Sequence, residues 1–258
     1  MKSHPSSIIH PKAQVADSVS VGPYSVIGEG VELGEDCEVM SHVVLEGPTK
    51  AGKRNRFFPF TSIGQAPQDL KYRGEPTRIE IGDENVFREF VTVNRGTVQA
   101  GGVTRIGSHN LLMAYVHIAH DCQLGSHIVM ANGASLAGHV EIGDYANVGA
   151  FCGVHQFTRL GAYCFIGAYT VINKDILPYM KSTADREVKV LGANKIGLER
   201  LGLAKTDIEE LDAACRLLCR SKLNTTQALE AIEARKFSSA HVKALVEFVR
   251  TSERGVNK

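Results

Sequence analysis

A chain of 258 residues is long enough to bury a sizeable core, as one large domain or a main domain with a smaller appendage. With 43% apolar residues, 22% charged residues and a formal net charge of +1, it has no bulk attraction to nucleic acid or to an anionic membrane. The cysteines show no C-x-x-C spacing and no long apolar run occurs, which argues against a disulfide framework, a zinc knuckle and stable membrane insertion; a cytoplasmic protein with reduced thiols is expected.

From the N-terminus, apolar residues recur every six positions: Ile9, Val15, Val21, Ile27, Leu33, Val39, Leu45, Ala51, Phe57 and Ile63. Small or β-branched residues such as Val19, Ser25 and Val43 stand four positions after these anchors, and glycine often follows an anchor directly, as at Gly22, Gly28 and Gly34. A period of six suits neither a helix nor a two-faced sheet, but it matches a hexapeptide β-solenoid. Three hexads close a triangular coil of about 18 residues, with the anchors stacked inside and glycine expected at the corners.

Residues 65–80, rich in proline and charge, break the period and read as an ejected loop. The register returns at Ile81, Phe87 and Val93, and a second, glycine-rich loop near residues 94–105 shifts it by one position. From Ile106 it runs on through Ile118, Leu136 and Val154 to Ile172.

Within that second run, residues 116–125 (V-H-I-A-H-D-C-Q-L-G) place ionisable groups that the scaffold does not require. His120 stands two positions after anchor Ile118, on an outward-facing position. Adding one coil and then another stacks His120, Gly138 and Gln156 in one column, with Asp121, His139 and Phe157 in the next; His117 and His155 lie on the same face. A histidine beside a carboxylate suits general-base work, and the unshielded N–H of Gly138 could meet an oxyanion. Cys122 is out of phase with the column, so direct attack by a substrate hydroxyl is the simplest chemistry. A zinc site on the histidines, as in a hexapeptide carbonic anhydrase, is the competing reading. His109, His127, Tyr145 and Tyr163 form another column, read as surface packing.

After Ile172 the period ends and the pattern becomes helical. Thr206-x-x-Glu209 reads as a capping box ahead of an Ile208, Leu211, Cys215 and Leu218 stripe; Asn224-x-x-Gln227 opens a second helix and Ser238 or Ser239 a third. The expected organisation is a mainly β chain, a parallel β-helix over residues 1–176 and a helical domain over 177–258 that covers the open end of the prism.

With these features placed, the chain resembles the UDP-N-acetylglucosamine O-acyltransferase family of lipid A biosynthesis. The likeness is carried by Q-D-L-K-Y (68–72), G-E-P-T-R (74–78), N-R-G-T-V-Q (94–99), H-I-A-H-D-C (117–122), L-A-G-H-V (136–140), V-H-Q-F (154–157) and S-E-R-G (252–255). The resemblance implies a left-handed β-helix and a homotrimer with active sites between neighbouring prisms. It implies transfer of a 3-hydroxyacyl group from acyl carrier protein to the 3-hydroxyl of UDP-N-acetylglucosamine, with no cofactor and no metal.

His120 then matches the general base, Asp121 its orienting partner and Gly138 the oxyanion-hole N–H. Gln68, Asp69, Lys71, His117, His139, His155 and Gln156 match substrate contacts, Asn194 and Arg200 nucleotide contacts, and Ala168 a limit on acyl-chain length. The chain departs from the family on the nucleotide side, at Asp185-Arg186-Glu187, Ile196 and Leu201. This leaves a 3-amino analogue of the UDP-sugar as an alternative acceptor and a non-catalytic carrier-protein scaffold as an alternative function. Lys53, Arg54, Arg56, Arg73 and Arg78 are candidate contacts for an acidic carrier protein.

Overall fold

The computed structural model of the chain describes residues 1–184 and 187–258; Asp185 and Arg186 of the altered turn lie outside the described residues. Short strands, most of them two residues long, alternate among three sheets of eleven, nine and eight strands, and this makes the triangular, left-handed parallel β-helix expected from the period of six. Ile9 pairs with Ile27 and Ile27 with Leu45, so each anchor stands one coil below the next. The anchors are the core: Ile27, Leu45, Ile63, Leu112, Ile118 and Leu136 are 0–1% exposed. Each such side chain contributes on the order of 1.5–3 kcal/mol of burial.

Both interruptions are where the period placed them. Ile81 pairs with Ala51 and Ile106 with Ile81, spacings longer than one coil, and the surplus residues leave the prism as the two loops. The first loop is tied down by the second: the Arg95 guanidinium donates to the Gly47 carbonyl and to the Tyr72 hydroxyl, and Asn94 Nδ2 donates to the Ala66 carbonyl at 2.9 Å.

The corners differ from expectation. Residues in the left-handed region there are mostly not glycine: Tyr24, His42, Phe60, Phe90, Tyr115, Asp121 and His139 all have φ between 58° and 64°. Each carries a conformational cost of about 1–3 kcal/mol. Stacking offsets part of it, about 0.5–1.5 kcal/mol per pair: Phe60 lies 5.0 Å from Phe90 and Phe90 4.8 Å from Tyr115, because the rise of one coil is close to a ring-stacking distance. The glycines after the anchors serve another need. A Cβ on Gly34 would lie 2.7 Å from the Gly52 carbonyl, so these positions allow backbones of successive coils to approach.

The chain does not turn helical directly after Ile172. Met180–Ala184 extends the eleven-stranded sheet beside Phe165–Ile166, and Val188–Ala193 pairs with it antiparallel. Alternating burial in Val188–Ala193 marks a strand that a search for helical stripes passes over. Four helices follow, α1 (Lys195–Arg200), α2 (Lys205–Cys219), α3 (Thr225–Ala234) and α4 (Ala240–Arg250).

The capping box at Asn224 and Gln227 forms with both bonds, and Ser239 caps α4. Thr206 is no cap: α2 starts one residue earlier, after Ala204, without a side-chain capping bond. The buried apolar residues form two clusters, one running up the prism to Ile176 and including Val188, the other from Leu177 through the helices. The C-terminal segment returns to the prism, where Ser252 Oγ donates to Asp175 Oδ2 at 2.8 Å and Asn257 N–H to the Asp175 carbonyl at 2.9 Å. No described helix is long and apolar enough to cross a membrane.

Candidate active site

The corner after strand His117–Ile118 brings the predicted cluster together. Asp121 occupies the left-handed corner position, a conformation that aspartate tolerates better than most residues, and this turns its carboxylate inward to 4% exposure. His120 Nδ1 lies 2.8 Å from Asp121 Oδ2. A carboxylate only accepts, so Nδ1 carries the proton and Nε2 is left as the basic nitrogen.

Burial pushes the Asp121 carboxyl up, but hydrogen bonds from His120 and from Thr97 outweigh it and hold the group below the ordinary carboxylate range. Thr97 donates its N–H to Oδ1 at 2.7 Å and its hydroxyl to Oδ2 at 2.7 Å, while the Asp121 N–H donates to Thr104 Oγ1 at 2.8 Å. The second loop is thus a clamp on the carboxylate. Thr97 lies within the N-R-G-T-V-Q motif, yet spacing gave it no role, because the contact joins residues of the loop and of the corner that only the fold brings together.

Gly138 stacks on His120 as the column requires, since His139 N–H donates to the His120 carbonyl at 3.1 Å. A Cβ at Gly138 would lie 2.6 Å from the imidazole Cε1 and 2.8 Å from Nε2, so glycine is what leaves room for the ring. Among the described residues the Gly138 N–H has no backbone acceptor, as is true of the His120 and Gln156 corners in the same column. The free N–H belongs to the coil geometry; its position against the histidine belongs to this site.

A cavity of about 530 Å³ opens from His120 along the nine-stranded sheet, lined by His117, Gly138 and His155, with Gln68 reaching in from the first loop. His117 Nδ1 is 2.8 Å from Thr92 Oγ1, and burial, then the neighbouring His120, lowers its pKa. His139 stacks on Phe157 at 4.3 Å and meets His120 edge-on at 5.2 Å. Burial lowers its pKa most, against the raising effect of Asp121. Cys122 is buried, and its thiol is pushed up to about 12 by that burial, which leaves no thiolate nucleophile there.

The remaining residues divide. Asp69 and Lys71 sit on the first loop, where the Lys71 N–H donates to Asp69 Oδ1 at 2.9 Å; neither lines the cavity, and Gln156 is exposed at the corner above Gly138. Ala168 is exposed on another edge of the prism. Asn194 and Arg200 line a separate cleft of about 1000 Å³ with His127, Tyr145, Ile196 and Leu201. In that cleft Lys181, Lys195, Arg200, Arg216 and Arg220 face a single carboxylate, Asp212, which bonds Lys195 at 3.1 Å and Arg216 at 2.5 Å. The His109 column stacks as expected, His127 lying 4.5 Å from Tyr145, and these two rings also line this cleft.

The candidate carrier-protein contacts fare differently. Lys53, Arg54, Arg56 and Arg78 are each paired with a glutamate, and Arg73 donates to backbone carbonyls of its own loop. As for a metal, donor atoms of His120, Asp121 and His139 lie within 4.8 Å of one another. Both Asp121 oxygens already accept hydrogen bonds from Thr97, and one also from His120.

A prism of hexapeptide coils with such a corner is the architecture of a hexapeptide-repeat acyltransferase, and residues 139–174 match the bacterial transferase hexapeptide (six repeats) family. Residues 175–257 match the second domain of Udp N-acetylglucosamine O-acyltransferase. The chain is 49% identical over 253 residues to the acyl-[acyl-carrier-protein]–UDP-N-acetylglucosamine O-acyltransferase of Saccharophagus degradans, covering 98% of both chains. It is 46% identical to the enzyme of the same name from Syntrophobacter fumaroxidans, covering 99% of each. Among solved structures it superposes on the UDP-N-acetylglucosamine O-acyltransferase of Moraxella catarrhalis with a TM-score of 0.96, at 42% identity over the full length of both chains. The Arabidopsis UDP-N-acetylglucosamine acyltransferase gives 0.86 at 31% identity, with 99% of each chain covered. The chain belongs to the UDP-N-acetylglucosamine O-acyltransferase family, and it is an O-acyltransferase.

Proposed function

We infer that the chain transfers a 3-hydroxyacyl group from acyl carrier protein to the 3-hydroxyl of UDP-N-acetylglucosamine, the first step of lipid A biosynthesis. One observation carries the mechanism: His120 is bonded through Nδ1 to a buried carboxylate, which leaves Nε2 against Gly138 at the mouth of the cavity.

Nε2 takes the proton of the sugar hydroxyl as its oxygen attacks the thioester carbonyl carbon. The carbonyl oxygen becomes an oxyanion that accepts from the Gly138 N–H. Collapse of this intermediate forms the ester and breaks the C–S bond, and the proton held by His120 goes to the departing thiolate. Asp121 stays ionised throughout and holds the imidazolium in place. His117, His139, His155, Gln156, Gln68, Asp69 and Lys71 are assigned to substrate contacts around this centre.

Asn194 and Arg200 are assigned to the nucleotide, and the cation-rich cleft they line suits a diphosphate. That cleft and the His120 cavity have no lining residue in common. A homotrimer in which one subunit supplies the base and its neighbour the nucleotide cleft and Ala168 resolves the separation. The reading includes a division into units 1–176 and 177–258, no resident metal or cofactor, and a cytoplasmic location, supported by six cysteines that are all unpaired.

The test is His120→Ala. Turnover is expected to fall by about 10²–10⁴-fold, with UDP-N-acetylglucosamine binding retained by calorimetry. Near-wild-type turnover would remove His120 from the mechanism, and absence of UDP-sugar binding by the unaltered chain would favour the scaffold function.

A further inference from the structure

The S-E-R-G stretch at 252–255 carries part of the family likeness, yet no task falls to it in the mechanism above. In the fold it is a strap across the last coil of the prism. Ser252 Oγ and the Arg159 N–H both donate to the carboxylate of Asp175, which is 1% exposed, and Asn257 Nδ2 donates to the Lys174 carbonyl at 2.9 Å. These bonds hold the strap without Arg254.

The Arg254 guanidinium goes elsewhere. Its Nε and Nη2 both donate to the Asn173 carbonyl, each at 3.2 Å, and Nη2 also lies 3.3 Å from Nδ1 of His155. Among the described residues no carboxylate pairs with it, unlike Arg159, whose Nε lies 3.7 Å from Glu141. Asn173 and His155 both line the cavity that holds His120 and Gly138. A fork closed on one carbonyl fixes the guanidinium plane and leaves the second N–H of Nη2 for the histidine.

His155 Nδ1 therefore has two neighbours with opposite demands. The Gln156 carbonyl, 3.1 Å away, only accepts and calls for a proton on Nδ1. Arg254 only donates and calls for a bare Nδ1. A neutral imidazole carries one proton, so the outcome at Nδ1 fixes whether Nε2 offers a donor or an acceptor. The guanidinium bond is charge-assisted, about twice as strong as a neutral one, and prevails.

We propose that Arg254 is a positioning residue for the acyl-transfer reaction: from the C-terminal strap it holds His155 in the tautomer with a bare Nδ1, so that Nε2–H is the donor presented to a substrate oxygen. This rests on the assignment of His155 to substrate contacts. Arg254 acts through the imidazole and does not itself touch the substrate.

Nitrogen NMR of the histidine-labelled, full-length protein at alkaline pH reads the tautomer without substrate, with His155→Ala assigning the signal by its loss. The unaltered chain is expected to carry the proton on Nε2, and Arg254→Met to move it to Nδ1. In Arg254→Met kcat/KM is expected to fall about tenfold, mainly through KM, the scale of one hydrogen bond to substrate. Arg254→Lys, which keeps a cationic donor, is expected to restore part of both. Ser252→Ala, which loosens the strap and keeps the guanidinium, is expected to leave the tautomer in place. Thermal unfolding is measured for every variant.

A proton on Nδ1 in the unaltered chain overturns the proposal before any variant is made. So does a tautomer that stays put in Arg254→Met, or one that moves equally in Ser252→Ala. In a His155→Ala background, Arg254→Met is expected to cost nothing further, and a second tenfold loss there overturns the proposal as well. An unaltered chain idle with every donor sinks the acyl-transfer reading and this inference with it; an active chain with the wrong tautomer sinks this inference alone.

Discussion

Thr97 grips the Asp121 carboxylate with both its N–H and its hydroxyl, each at 2.7 Å, and it does so from a loop that has left the prism. The His120–Asp121 pair is therefore finished by an insertion. Without the second loop, Asp121 would be a corner residue with His120 as its remaining side-chain donor, and both its orientation and its ionised state would be less secure.

Thr97→Val removes the hydroxyl and keeps the backbone donor. It is expected to lower kcat about tenfold, the scale of one hydrogen bond to a buried charge. Asp121 lies below the ordinary carboxylate range, so its ionised form is available above that lowered value and lost as pH falls through it. Losing a donor raises the value, and the acid limb of the kcat/KM profile should move to higher pH. Thr97→Ser should restore both. A profile that does not move in Thr97→Val would show that the threonine only braces the loop.

Gly138→Ala tests the other neighbour of His120. Its Cβ would intrude to within 2.6 Å of the imidazole, while leaving an N–H at the same position. The ring must rotate or the coil must shift, and kcat is expected to drop by about 10²-fold with little change in thermal stability. Wild-type turnover by this variant would mean that the ring position seen here is not the reacting one.

A site shared between subunits predicts complementation. His120→Ala and Arg200→Ala, each nearly inactive alone, are expected to regain activity when unfolded together and refolded as a mixture, because some interfaces then combine an intact base with an intact nucleotide cleft. Activity that never exceeds the sum of the separate variants would place both residues in one subunit's site.

Much of this molecule was legible before any coordinates. The stacking of His120, Gly138 and Gln156 follows from arithmetic, because a coil of fixed length converts sequence separation into vertical alignment, and the ring ladder of His109, His127 and Tyr145 follows in the same way. Helix α3 was legible because a capping box is a local device: Asn224 and Gln227 satisfy each other's backbone within four residues. Thr206 misled for the converse reason, since the start of α2 is set by packing of its buried stripe and not by its cap. The glycine corners misled because the left-handed bend is stabilised by what stands above and below it, a ring or a carboxylate in the neighbouring coils, and glycine itself was needed for close approach elsewhere.

By itself, the sequence determined the prism, the two points at which it is interrupted, and the column that carries His120, because each depends on a short repeated period. Only the tertiary structure decided that Thr97 holds Asp121, and that His120 and the cation-rich cleft occupy different faces of one chain. Those relationships join residues through loops and across coils, where no period links their positions, and contact there is set by how the chain closes in space.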